Sequence, residues 1–228
     1  TLGATAEETC KDCAAGSFST ISGAPNSDAC LACAAGTFSS AVAQTTCIDC
    51  AAGTFQANTG QEICRACAAG TFQDQPKQTA CKAIDDTKCA STNGTTCNNG
   101  LGATQQIACP AGRACAAGLD APCPEGKFCV EGQAPQDCKA GSYSSVAGLS
   151  LGSQCLECVA GTFSNTPGAT AESQCSQCLA GEFQDQAGQA SCKATDDTKC
   201  ASVDGTSCNN GLGATAQIAC PAGQICTA

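Results

Sequence analysis

The sequence predicts a small disulfide-rich fold, an elongated tandem array of cysteine-rich modules with short β-hairpins and almost no helix. Three observations predict it. The chain holds 25 cysteines in 228 residues, a phrase of the form C-x-x-C-x-A-G-[ST]-[FY] recurs along it, and a long segment appears twice.

Cysteine makes up about 11% of the chain, above the level of about 8–10% that marks a disulfide scaffold. Leu, Ile, Val and Phe together reach only about 12%, a level otherwise found in disordered chains. The 43% apolar content is mostly Ala and Cys. Ala offers little area at about 25 cal/mol per Å², so burial of apolar surface cannot hold the chain folded. Order must come from crosslinks, each worth about 3 kcal/mol for a loop of about 15 residues. Persisting disulfides require an oxidising compartment, so an extracellular or cell-surface location is expected.

The recurring phrase sets the module. CKDCAAGSF, CLACAAGTF, CIDCAAGTF and CRACAAGTF start at Cys10, Cys30, Cys47 and Cys64, and CLECVAGTF and CSQCLAGEF at Cys155 and Cys175. Cys138 opens KAGSY without a first cysteine. Gly three residues after the second cysteine suits a turn of positive φ or a close backbone approach. The aromatic two residues later, at Phe18, Phe38, Phe55, Phe72, Tyr143, Phe163 and Phe183, gives each module one large apolar group, a seam rather than a core. The intervening stretches, such as QANTGQEI, carry turn residues and read as turns and short edge strands.

The longer period is a duplication. Cys81–Cys115 recurs as Cys192–Cys226 with 28 of 35 positions identical at a single fixed offset, which marks a repeat architecture. The expected organisation is modules over 1–82 with the first one incomplete, a spacer over 83–137 with CPxGxxC phrases, three modules over 138–192, and a second spacer over 193–228. Thr1–Cys10 matches Thr166–Cys175 at seven of ten positions, so the first module reads as interrupted and the chain as a processed form or a fragment.

Connectivity does not follow from sequence, but parity constrains it. Pairing the second cysteine of each phrase with the first of the next gives Cys13–Cys30, Cys33–Cys47, Cys50–Cys64, Cys67–Cys81, Cys138–Cys155, Cys158–Cys175 and Cys178–Cys192. Cys200, Cys208, Cys220 and Cys226 are left as a closed set, with Cys89, Cys97, Cys109 and Cys115 as its equivalent. In-order and crossed pairing within those sets stay open, and Cys123 then meets Cys129. Cys10 is left over and is the candidate for an interchain bond.

Other signals are sparse. Successive C-x-x-C phrases are spaced much like the halves of four-thiolate zinc sites, but their repetition in register, the lone cysteines between them and the absence of His favour staples, so no metal or other cofactor is expected. A thioredoxin-like role lacks the βαβ setting that lowers a thiol pKa. Asp85–Asp86 and Asp196–Asp197 read as turn-capping acids, with a weak calcium site as the sharper alternative. No catalytic constellation is present, and no enzyme is expected. A net charge of −10 with only ten Lys and Arg offers no footprint for nucleic acid. No stretch approaches the roughly 18 apolar residues of a membrane span. Asn93-Gly94-Thr95 is a possible N-glycosylation acceptor, replaced in the second copy by Asp204, so glycans are possible partners.

The phrase with its following loop and cysteine resembles ephrin-receptor-like and tumour-necrosis-factor-receptor-like cysteine-rich repeats, most clearly over residues 10–82 and 138–192. In its Ala/Thr-rich form it also looks like protist surface proteins, namely ciliate immobilisation antigens and mastigoneme arrays. CPAGRAC and CPEGKFC are similar to spacer forms in such arrays. The resemblance implies an extended, extracellular, non-catalytic protein. The expected function is structural, forming or coating a surface fibre by head-to-tail self-association. A receptor ectodomain or monomeric coat antigen is the alternative.

Overall fold

The computed structural model describes residues 11–22, 27–208 and 211–226. It divides into two compact units, Thr1–Ala108 with Cys115–Asp120, and Cys109–Ala114 with Ala121–Ala228.

The first unit is a run of minimal hairpins. Ser17–Phe18 pairs antiparallel with Leu31–Ala32, Thr37–Phe38 with Ile48–Asp49, Thr54–Phe55 with Arg65–Ala66, and Thr71–Phe72 with Lys82–Ala83. The first strand of each is the [ST]-[FY] end of the phrase, and the second follows the next cysteine. A longer hairpin closes the run, Lys88–Ser91 against Gln105–Ala108, with Cys89 opposite Ile107.

The second unit repeats the theme. Lys127–Phe128 pairs with Gln136–Asp137, Ser142–Tyr143 with Leu156–Glu157, Thr162–Phe163 with Ser176–Gln177, and Glu182–Phe183 with Lys193–Ala194. Its four-residue hairpin is Lys199–Ser202 against Ala216–Ala219. Among the described residues there is no α-helix, in agreement with the fold class read from the sequence. The helical turns present are 3-10, at Ser27–Ala29, Gly152–Gln154 and Glu172–Gln174.

These turns explain two loop lengths. Cys13–Cys30, Cys138–Cys155 and Cys158–Cys175 are 17 residues apart, and each encloses one 3-10 turn. Loops of 14 residues, such as Cys33–Cys47 and Cys178–Cys192, enclose none. The extra residues amount to one turn of that tighter helix.

Apolar burial is local. Phe72 packs with Ile84, Ala90 and Ala103, Phe183 with Ala201 and Ala214, and Phe128 lies against Leu149 and the Cys138–Cys155 pair. Phe38, Phe55 and Phe163 are only half-buried. Among the fully buried side chains cysteines predominate, so the staples themselves fill the space that a core would occupy.

Candidate functional site: stapled module junctions and two sulfur clusters

The phrase builds a turn from its own side chains. In CAAGT the Thr54 hydroxyl donates to the Ala51 carbonyl at 2.7 Å and its amide donates to the same oxygen at 3.0 Å. Thr37 with Ala34, Thr71 with Ala68, Ser142 with Lys139 and Thr162 with Val159 do the same. A hydroxyl at that position is therefore part of the turn, which accounts for the Ser/Thr choice in the phrase. Gly53 completes the turn at φ +81°, a conformation that L-residues with a Cβ adopt only at a cost.

Each turn is then tied to the next module. The Gly53 amide donates to the Gln73 carbonyl at 2.7 Å, and the Cys50 carbonyl accepts from the Lys77 amide at 2.8 Å. In the second unit the Gly141 amide donates to the Ser164 carbonyl at 2.7 Å, and the Cys138 carbonyl accepts from the Gly168 amide at 2.8 Å. The same two bonds recur from Gly36 to Gln56 and from Gly60 to Cys33. Contact reaches one module further, since a Cβ built on Gly141 would lie 2.3 Å from the Gly188 carbonyl oxygen. A two-stranded hairpin is marginal alone, and here its polar groups are satisfied by its neighbours in the manner of repeat proteins.

Buried amides reinforce three loops. Gln56, Gln73 and Gln184 are each 2% exposed. Each Nε2 donates at 2.7 Å to a carbonyl further along the loop, that of Ile63, Ala80 or Ser191. Each Oε1 accepts from an amide nearer by, that of Asn58, Gln75 or Gln186.

Covalent links overlie this ladder. The structure joins Cys13 to Cys30, Cys33 to Cys47, Cys50 to Cys64 and Cys67 to Cys81. It joins Cys138 to Cys155, Cys158 to Cys175 and Cys178 to Cys192. Within the sets that sequence left open, Cys89 bonds Cys97, Cys200 bonds Cys208 and Cys220 bonds Cys226, and Cys123 bonds Cys129. Cys109 and Cys115 are oxidised too. Cys10 lies outside the described residues.

Two clusters bring a third sulfur against a disulfide. Cys89, Cys97 and Cys115 lie within 4.8 Å of one another, as do Cys200, Cys208 and Cys226. All six are disulfide-bonded. Metals bind the thiolate, so these donors become ligands only after reduction, and as they stand the clusters are staples.

Of the acidic pairs, the Asp86 and Asp196 carboxylates hold a turn amide and a strand lysine. An Asp86 carboxylate oxygen accepts from the Ala117 amide at 3.0 Å, and the Asp85 carbonyl accepts from the Lys88 amide. Asp196 pairs with Lys199 at 2.8 Å, which holds its carboxyl below the ordinary aspartate value. Lys82 and Lys193 likewise lower Asp74 and Asp185 by direct hydrogen bonds. A shallow hollow lined by Tyr143, Glu157, Glu172 and Gln177 gathers two carboxylates, but Glu157 is half exposed and pairs with Lys139 at 3.0 Å.

Asn93 stands in an exposed turn. Its Oδ1 accepts from the amides of Thr95 and Thr96 at 2.9 and 3.0 Å, and its Nδ2 donates to the Thr96 hydroxyl. Sequence reasoning missed the buried glutamines, the junction partner of each glycine and the module-like hairpin of Phe128. The spacer signal CPEGKF, with glycine and an aromatic at the module offsets, was the available clue to the last.

Oxidised hairpin modules repeated along a chain define an extracellular-type cysteine-rich domain. Residues 36–81 match the profile of the tyrosine-protein kinase ephrin type A/B receptor-like family. That segment spans the Cys50–Cys64 and Cys67–Cys81 modules and most of the one before them. No curated protein matches the chain. Among the described residues no helix is long and apolar enough to cross a membrane.

Proposed function

We propose that this chain is an extracellular structural protein that forms or coats a surface fibre through stacked disulfide-rich repeats, without catalysis. The observation that carries the reading is the repeated junction, in which the phrase glycine and cysteine of one module hydrogen-bond the backbone of the next. Polar backbone is spent on neighbouring modules and the few apolar groups on local seams, which suits load-bearing or covering more than ligand capture. The scarcity of hot-spot residues agrees with it, since Trp is absent and Arg occurs only at Arg65 and Arg113.

Self-association is head to tail in this reading. Twenty-five cysteines cannot all pair within one chain, and we assign Cys10, the one that the phrase pairing leaves over, to an interchain bond with a neighbouring copy. Unlike ends in contact propagate into a filament when the rotation does not close.

A second reading draws on the family match. The likeness of residues 36–81 to an ephrin-receptor-like domain fits a receptor ectodomain or a monomeric coat antigen. Electrophoresis of natively isolated protein with and without reductant, with electron microscopy of the same sample, separates the two. High-mass species that collapse to one band on reduction, together with fibres, support the structural reading. A compact unreduced monomer without fibres overturns it in favour of the second.

A further inference from the structure

We infer that Asn93 carries an N-linked oligosaccharide and that the matching turn of the second spacer carries none. The inference rests on a comparison between two turns built from nearly the same sequence. In the first, Ser91 Oγ accepts from the Gly94 amide at 2.9 Å, and Asn93 Oδ1 accepts from the Thr95 and Thr96 amides. In the second, Ser202 Oγ accepts from the Gly205 amide at 2.9 Å, and Asp204 Oδ1 accepts from the Thr206 and Ser207 amides at 2.8 and 2.9 Å. Gly94 and Gly205 share a positive φ, +78° and +74°.

The turn therefore needs only the side-chain oxygen, which carboxylate and carboxamide supply equally well. What Asn93 adds is a nitrogen. That nitrogen donates to the Thr96 hydroxyl at 3.0 Å, and Asn93, Thr95 and Thr96 are not buried. Thr95 provides the hydroxyl two residues on that the acceptor motif requires, and no proline intervenes. Oxidation of every cysteine from Cys13 to Cys226 calls for an oxidising compartment, and the secretory lumen where such transfer occurs is one.

The chemistry balances with a lipid-pyrophosphate-linked oligosaccharide as donor. The bond from sugar C1 to the pyrophosphate oxygen breaks, and the lipid pyrophosphate leaves with the electron pair. A bond from C1 to Asn93 Nδ2 forms, and Nδ2 gives up one proton. The sugar then extends from an exposed turn, and Nδ2 keeps one N–H. It covers one of two turns whose hydrogen bonds otherwise match, so the two turns differ in hydration.

The test uses the full chain secreted from a eukaryotic host, as three proteins: unaltered, Asn93→Asp and Asp204→Asn. Asn93→Asp keeps the turn, because Asp204 already makes it in the second copy. Asp204→Asn creates Asn-Gly-Thr at residues 204–206 in the same geometry. Peptide-N-glycosidase digestion in heavy-oxygen water, followed by peptide mass spectrometry, reads the sites. The expected result is a labelled aspartate at 93 in the unaltered protein, no released glycan from Asn93→Asp, and labelled aspartates at both 93 and 204 in Asp204→Asn. Secreted, fully oxidised protein with unmodified Asn93 overturns the inference, as does an Asn93→Asp protein that still releases an N-glycan. Neither result depends on fibres, so the structural reading stands or falls separately.

Discussion

The carbonyl oxygen of Gly102 stands 2.5 Å from the point a Cβ on Gly53 would occupy, and Gly53 itself holds φ +81°. Gly53→Ala therefore meets two penalties, strain of about 1–3 kcal/mol in the left-handed region and overpacking of about 1–3 kcal/mol against backbone. A loss of about 2–6 kcal/mol is expected by urea unfolding with disulfides intact. Gly205→Ala is the control, because φ is +74° but no atom lies within 4 Å. It is expected to show the strain cost alone, about 1–3 kcal/mol.

Gln73 closes its loop from inside. Gln73→Ala removes the donor to Ala80 and the acceptor for Gln75, and an unmade hydrogen bond at a buried group costs about 1–3 kcal/mol. Faster hydrogen exchange at the Gln75 amide is the expected signature. Gln73→Glu keeps the acceptor but sets a negative oxygen against the Ala80 carbonyl, so it is expected to destabilise more than the alanine at neutral pH.

The Cys67–Cys81 staple spans a sequence separation of 14, worth about 3 kcal/mol in the chain-entropy model. Replacing both cysteines with Ser is expected to remove exchange protection from Thr71–Phe72 and Lys82–Ala83. The loss should spread to Gly102, whose amide donates to the Cys67 carbonyl at 2.8 Å. The Cys13–Cys30 loop should keep its protection, since repeat arrays transmit damage mainly to nearest neighbours. Uniform loss along the chain would contradict this picture.

Asp204 gives the second spacer turn a pH dependence that Asn93 denies the first. The Ser207 hydroxyl, followed by the Thr206 and Ser207 amides, holds the Asp204 carboxyl well below its ordinary 3.8. A lowered folded value means that the turn has its full stability above 3.8 and loses it as pH falls from there through the folded value. The protection factors of the Thr206 and Ser207 amides, taken relative to intrinsic exchange at each pH, should therefore fall in strong acid, while those of Thr95 and Thr96 hold. Asp204→Asn should flatten the response.

The fold class was legible because cysteine spacing and composition act locally. Few apolar residues and many staples exclude a layered core whatever the topology, and a phrase that ends in a hydroxyl and an aromatic can start only a short strand. The junctions were less legible. The glycine of each phrase pointed to positive φ or close approach, but that its neighbour is Gly102 for Gly53 and Gly188 for Gly141 depends on how loops from non-adjacent modules superpose. The burial of Gln73 has the same cause, because a glutamine after an aromatic reads as solvated until the loop curls over it. The clusters at Cys115 and Cys226 required the pairing inside each spacer, which parity left open.

Where one module completes its bonds on the one that follows, as Gly53 does on Gln73 and Gly141 on Ser164, stability is shared along the run rather than vested in a single residue. Inserting or deleting a block disturbs the seams it creates and the contacts, such as that of Gly141 with Gly188, that reach across them. Such a chain can lengthen by gene duplication without redesign of any interior, and the reappearance of Cys81–Cys115 as Cys192–Cys226 is the trace such growth leaves. The substitutions between those copies, Asn93 against Asp204 among them, are places where the two have begun to acquire separate histories.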